Sequence, residues 1–303
     1  MLIGFDSLKI NLLNSHKNHK LHHAILIHGK KGIGKSTFIK ELVQDLLETK
    51  NQNHPDLLLI EKDDGKKEIS VEKIRKIAEF SNQTSAISRY KFIVIDSADE
   101  LNKSSSNALL KILEEPHNNN FLILISHNPN KVLATIRSRC QELKVPDLSF
   151  EEFKKILQKN YPNISEDELL FLSEICDNSP AKAISNQEEL IEIYQNFLES
   201  LENKKIDNNL YKKVSDKNFS FEVIEEIILF FLNRLLKFFS GFEVDFYFNE
   251  KEVFLYLKNN ISFANLLDLE EKIKILLQKN KSLNLDKKLT LINVFNLISF
   301  SHD

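Results

Sequence analysis

The chain has 303 residues, of which 42% are hydrophobic and 28% charged, and its net charge is −3. That length allows two or three domains. So small a charge supplies no global field for nucleic acid or anionic lipid, and any nucleic-acid role must rest on a local patch or on partner subunits. Two cysteines provide no disulfide framework, which suits a reducing cytoplasm.

In chain order, Met1 to Lys20 is polar without a continuous apolar core, so no secretory signal is expected. Ala24–His28 reads as a short buried strand and Phe38–Leu47 as an amphipathic helix. Between them stands Gly29-Lys30-Lys31-Gly32-Ile33-Gly34-Lys35-Ser36-Thr37, which fits G-x-x-x-x-G-K-[ST]. Strand, glycine-rich loop and helix N-terminus aim backbone N–H groups at an anion. Gly29, Gly32, Ile33, Gly34, Lys35, Ser36 and Thr37 are therefore predicted to hold the phosphates of ATP. Lys35 adds charge at the outer phosphates, and the Ser36 hydroxyl joins the Mg²⁺ shell. The bland alternative is a turn that binds nothing. Against it, three of only six glycines in the chain fall here, where the backbone must approach something closely.

Leu57–Ile60, Phe92–Ile95 and Leu122–Ser126 are apolar runs of the kind that form buried parallel strands. Val71–Phe80 and Ser105–Leu113 have helical spacing, and Lys62–Glu68, with Gly65, reads as a loop. The alternation predicts an α/β domain with a mostly parallel sheet. Lys91–Ile95 ends in Asp96, expected at the end of a strand neighbouring the P-loop strand, where it would hold Mg²⁺ through water. The alternative is an acid that merely ends a strand. Many hydrolytic P-loop proteins carry Glu after this Asp; here the residue is Ser97, a poor base at neutral pH. Asp99 and Glu100 read as solvated acids in the first turn of the next helix. Such a site binds ATP and hydrolyses it badly.

After Pro146 the pattern changes. Phe150–Lys159, Glu166–Asp177 and Pro180–Ser185 read as short helices, and from about Glu188 nearly everything is helical, with breaks at Lys204–Asn209 and Asn249–Glu250. In Phe221–Phe242 one face carries Ile224, Ile227, Ile228, Phe231 and Leu235, and the next carries Leu229, Leu232, Leu236 and Phe239. The stripe is wide enough for a central core helix or for a face that packs partly on another subunit. Ile227–Phe239 is broken by Asn233, Arg234 and Lys237, so no membrane span is expected.

Three further motifs carry a resemblance. They are Tyr90–Asp99, Asn107-Ala108-Leu109-Leu110-Lys111-Ile112-Leu113-Glu114-Glu115-Pro116, and Thr135-Ile136-Arg137-Ser138-Arg139-Cys140. With Leu21–Ala24, His54–Asp56 and the tail Asn284–Lys288, they resemble the bacterial clamp-loader ATPases of the AAA+ class, in the delta-prime branch of the DNA polymerase III family. The resemblance implies an AAA+ P-loop domain over 1–146, a small helical lid over 147–187 and an all-α collar over 188–303. It implies an accessory, cytoplasmic subunit that helps to load a sliding clamp on primed DNA. Its partners would be the tau/gamma and delta subunits and, through the complex, the clamp and primer–template DNA.

In that family the Arg of Ser-Arg-Cys reaches the ATP of a neighbouring subunit, a role that would fall to Arg139. Lys182, in Asn178-Ser179-Pro180-Ala181-Lys182-Ala183, stands where many relatives place an ATP-sensing Arg, and it lacks the bidentate fork. The four-cysteine zinc module of many relatives cannot form, since no Cys lies between Thr37 and Asp96. Cys140 reads as a small buried hydrophobe. Two rivals remain: an active tau/gamma-type motor subunit, and a P-loop small-molecule kinase.

Overall fold

The computed structural model describes residues 3–51, 53–216, 219–283 and 285–299; Asn284, first of the expected tail motif, lies outside them. Contacts divide the chain into two units: Met1–Ile156 with Asn178–Ala181, and Leu157–Asp177 with Lys182–Asp303.

The first unit runs α1 (Asp6–Lys17), β1 (Ala24–His28), α2 (Lys35–Leu46), β2 (Leu57–Ile60), α3 (Val71–Asn82), β3 (Lys91–Ile95), α4 (Lys103–Glu114), β4 (Asn120–Ser126), α5 (Ala134–Arg137) and β5 (Gln141–Lys144). All strand pairs are parallel, in the order β2-β3-β4-β1-β5. Helices cover both faces, so β1, β3 and most of β4 are buried on both sides and read as unbroken apolar runs. Alternation along β1 separates two cores. Ile25 and Ile27 pack with Phe5, Phe38 and Leu42, while Ala24 and Leu26 pack with Ile74, Ile77 and Leu109. Asn102 caps α4 by accepting from the Ser105 N–H at 2.9 Å.

One expectation is corrected. β3, which Asp96 directly follows, does not neighbour the P-loop strand β1; β4 lies between them. The one-turn helix α5, β5 and α1 were not anticipated. β5 has one apolar residue, Leu143, in an edge strand, and α1 fully buries only Leu12.

The helix α6 (Phe150–Asn160) begins in the first unit and ends in the second. The second unit continues with α7 (Glu166–Ile175), α8 (Pro180–Glu202), α9 (Asn208–Ser215), α10 (Phe221–Phe239), α11 (Glu250–Asn260), α12 (Phe263–Leu283) and α13 (Lys287–Ser299), and it is helical throughout its described elements. Ser165 and Glu168 form a capping box at the start of α7. The helix α8 runs on unbroken across position 187, where the lid was expected to end. On α10 the face of Ile224, Ile227, Ile228, Phe231 and Leu235 is core, whereas of the second face only Leu232 is fully buried.

Arg234 of α10 is 2% exposed and Glu250 of α11 is 0% exposed. Arg234 donates from Nε and Nη2 to the two carboxylate oxygens of Glu250, each at 2.8 Å. It also reaches Glu174 of α7 and the Asp245 carbonyl, and its guanidinium lies 4.2 Å from the Tyr247 ring centre. Tyr194 of α8 donates to Glu250. Burial opposes the arginine's charge; the bonds and charge of Glu250, then Glu174, outweigh it and raise its pKa. One buried fork thus ties four helices. Arg234→Ala leaves the Glu250 carboxylate buried without its cation, so urea unfolding should show a loss of about 3–5 kcal/mol.

Candidate functional site

The P-loop joins the carboxyl end of β1 to α2. Gly32 and Gly34 adopt φ of 81° and 97°, in the left-handed region where side chains are strained. Space is as limiting as angle. A Cβ on Gly29 would lie 2.9 Å from the Val145 carbonyl oxygen, and one on Gly32 would lie 2.2 Å from Ser179 Oγ. The segment Asn178–Ala181 packs on the loop: Ser179 Oγ donates to the Lys31 carbonyl at 3.1 Å, and the Ala181 N–H donates to the Gly32 carbonyl at 3.1 Å. Ile33 is core, Ser36 is half-buried and Thr37 is exposed.

Lys35 is 2% exposed and donates to the carbonyl oxygens of Gly29, at 2.7 Å, and Lys30. Burial lowers its pKa to about 8, while Asp99 and then Asp96 pull it back up. A cation so placed, in a cradle of glycines, fits a polyphosphate: the incoming charge would replace two carbonyls as its partner. Asp96 stands at the end of β3, its N–H bonded to the Ile60 carbonyl at 2.9 Å. Ser36 and Asp96 remain the residues suited to Mg²⁺. Among the described residues no group of three or more His, Cys, Asp or Glu is arranged to hold a metal by itself.

Asp99 departs from the expected solvated acid. It lies in a short 3₁₀ turn, Ala98–Glu100, and accepts the His127 N–H at 2.9 Å. Glu100 pairs with Lys62 at 2.9 Å. His127 itself was missed. Its Nε2 is 3.3 Å from Ser97 Oγ, and burial, then Lys35, lowers its pKa against Asp99 and Asp96. One signal could have found it: it directly follows the apolar run of β4, at the carboxyl edge where parallel sheets bind ligands. Ser97 has φ of 69°, so position 97 is a strained turn.

Arg139 follows α5. It donates to Glu114 Oε1 at 2.8 Å and to the Thr135 carbonyl at 2.9 Å. Lys182 belongs to the second unit, where it donates to the Ile175 carbonyl at 3.1 Å and pairs with Glu226. Burial pushes the Cys140 thiol up to about 12, which leaves it unreactive.

The Lys35 amine makes a signed prediction. Its folded pKa is depressed, so the burial penalty is present below pH 8 and is relieved between about pH 8 and the unfolded value of 10.5. Wild-type stability, measured as its difference from Lys35→Met by urea unfolding, should rise across that window. A flat difference would mean that the amine is not buried.

A family described as DNA polymerase III, delta subunit matches residues 6–149. The DNA polymerase III subunit delta' of Pseudomonas aeruginosa is 33% identical over 141 residues, which cover 41% of this chain and 43% of that protein. The subunit delta' of Bacillus subtilis is 35% identical over 150 residues, 44% of each chain. The DNA polymerase III subunit gamma of Buchnera aphidicola is 30% identical over 216 residues, 64% of this chain and 59% of that one. The chain thus spans about half the length of the curated relatives it matches. The P-loop, Leu109–Pro116 and Ser138–Cys140 all lie inside the stretch 6–149 that matches the DNA polymerase III delta family, and the relatives most often matched there are delta' subunits.

Proposed function

We propose that this chain binds Mg-ATP at Gly29–Thr37, hydrolyses it poorly, and works as a subunit of a clamp loader that supplies Arg139 to the ATP of its neighbour. The observation that carries the nucleotide reading is the cradle itself. Added side chains would strike Val145 and Ser179, and a buried lysine with a lowered pKa waits on loop carbonyls. Asp96 and Ser36 would hold the Mg²⁺. Poor hydrolysis follows from Ser97, whose hydroxyl contacts His127 and offers no carboxylate to polarise water.

Arg139 suits a role in trans because its partners are weak. Its pair with Glu114 is more than a third exposed, and such surface pairs contribute roughly 0–1 kcal/mol. A phosphate could take the planar fork from Glu114 with little loss. Lys182, tied to Glu226 and Ile175, would have to leave both to sense a nucleotide.

As a subunit, the chain would have tau/gamma and delta subunits as partners, with the clamp and primer–template DNA met through the complex in the cytoplasm. The plan of P-loop domain, lid and collar, 1–146, 147–187 and 188–303, is part of this reading. Support for the collar comes from Phe263, Leu267 and Ile275 of α12 and Leu289 of α13, large apolar side chains left exposed. An active motor subunit is the second reading, favoured by the match to a gamma subunit; Ser97 weighs against it.

Calorimetry should detect Mg-ATP binding by the wild type, and Lys35→Ala should weaken it by roughly 1.5–3 kcal/mol. No binding by the wild type would overturn the nucleotide reading. Arg139→Ala should leave that binding unchanged, yet lower the DNA-stimulated ATPase of the reconstituted complex on the order of 10³-fold at the affected site. Arg139→Lys should rescue it poorly. Full activity in an intact Arg139→Ala complex would make this arginine a surface residue only.

A further inference from the structure

A second groove, of about 410 Å³, opens at the amino ends of β3 and β4, on the edge of the sheet away from the P-loop. Its lining brings together His16, His19, His23 and His117, three asparagines, Arg89 and the rings of Tyr90 and Phe121, and contains no carboxylate. In a chain of net charge −3 that is a local departure of the kind a nucleic-acid role would need.

The wall is aromatic. The His16 ring meets Tyr90 at 4.7 Å and Phe121 at 5.6 Å, both edge-on, and Tyr90 meets Phe121 at 5.7 Å. Tyr90 is half-buried, so part of its ring stays open to a planar ligand. Two ring nitrogens, His16 Nδ1 and His23 Nε2, are buried without a hydrogen-bond partner. Burial, then neighbouring histidines, lowers the pKa of both rings, so at neutral pH the wall they form is uncharged. Arg89 is exposed, its guanidinium 5.6 Å from the Tyr90 ring centre.

The loop that carries Arg89 is pre-organised. The carboxylate of Asp56, 0% exposed, accepts the N–H groups of Ala86, Ile87 and Ser88 at 2.7, 2.9 and 2.7 Å. Lys91 ties the same stretch from behind by donating to the carbonyls of Phe80 and Gln83. A groove held rigid before binding loses less entropy when it is filled.

We propose that this groove takes one nucleotide of a single-stranded nucleic acid. The base lies against Tyr90 and the neighbouring rings, and its phosphate meets Arg89. Aromatic platforms beside a cation are how single strands are held without sequence preference. The proposal is independent of the P-loop reading, since no residue is shared.

The test is fluorescence anisotropy with the full chain and a labelled mixed-sequence 12-nucleotide strand, as DNA and as RNA, against a duplex of the same sequence. The single strand should bind, and the duplex at least tenfold more weakly, because paired bases cannot lie on the wall. Arg89→Ala and Tyr90→Leu should each weaken binding about tenfold. Arg89→Ala should also reduce the slope of log affinity against log salt by about 0.7, one phosphate contact. A preference between the DNA and RNA strands supports the groove and names its source. Lys35→Ala should bind the strand like the wild type, which separates this outcome from failure at the nucleotide site. Absence of saturable binding, equal affinity for duplex, or an unchanged affinity in Arg89→Ala would each overturn the proposal. Arg89 is exposed, so its variant decides the matter even where Tyr90→Leu unfolds.

Discussion

Burial of β1 between β4 and β5 governs where every charged group of the P-loop site can stand. Ala24, Ile25, Leu26 and Ile27 are covered on both faces, so the strand cannot slip by one residue without exchanging its two cores. The register is held by pairing Ala24 to Leu122 and Ile25 to Gln141. With that register set, His28 is the last strand residue and the loop must turn at Gly29, under the Val145 carbonyl. β4 ends level with it at Ser126, which brings His127 to the same edge. Asp96 and Asp99 follow from β3, one strand further out. Dispersion and hydrophobic burial thus position an electrostatic site to which they contribute no charge.

Much of this was legible in the sequence, for a physical reason. Strands buried on both faces leave unbroken apolar runs, and β1, β3 and β4 were visible as such; β2, an edge strand that fully buries only Ile60, shows the same run. The glycine-rich loop was legible because backbone approach excludes side chains. The rest depended on contacts that no local pattern carries. β5 reads Gln-Glu-Leu-Lys and is a strand only because β1 offers an edge to pair with. Strand order is likewise non-local, and the expectation that Asp96 sits on a neighbouring strand failed on it. Asp99 looked like a solvated helix-start acid until the 3₁₀ turn brought it to the His127 N–H. α8 reads in the sequence as a short helix, Pro180–Ser185, with helix again from about Glu188, and the structure joins the two. Of the polar residues at that junction, Asn186 and Gln187 are half-buried and Glu188 is exposed, and the helix continues through Leu190, Ile191 and Tyr194, which are buried.

The same balance explains the cations. Arg234 and Lys35 are each 2% exposed, yet their surroundings differ in kind. Arg234 has two carboxylates and a ring face, so its charge is satisfied and its role is to bind helices together. Lys35 has two neutral carbonyls and only distant help from Asp99 and Asp96, so its charge is under-compensated and its pKa falls. A buried cation short of negative charge is a standing deficit that an anion can relieve. Burial alone would have marked both residues as structural. The sign and nearness of their partners separate the cation whose charge is satisfied within the fold from the one whose charge is left under-compensated.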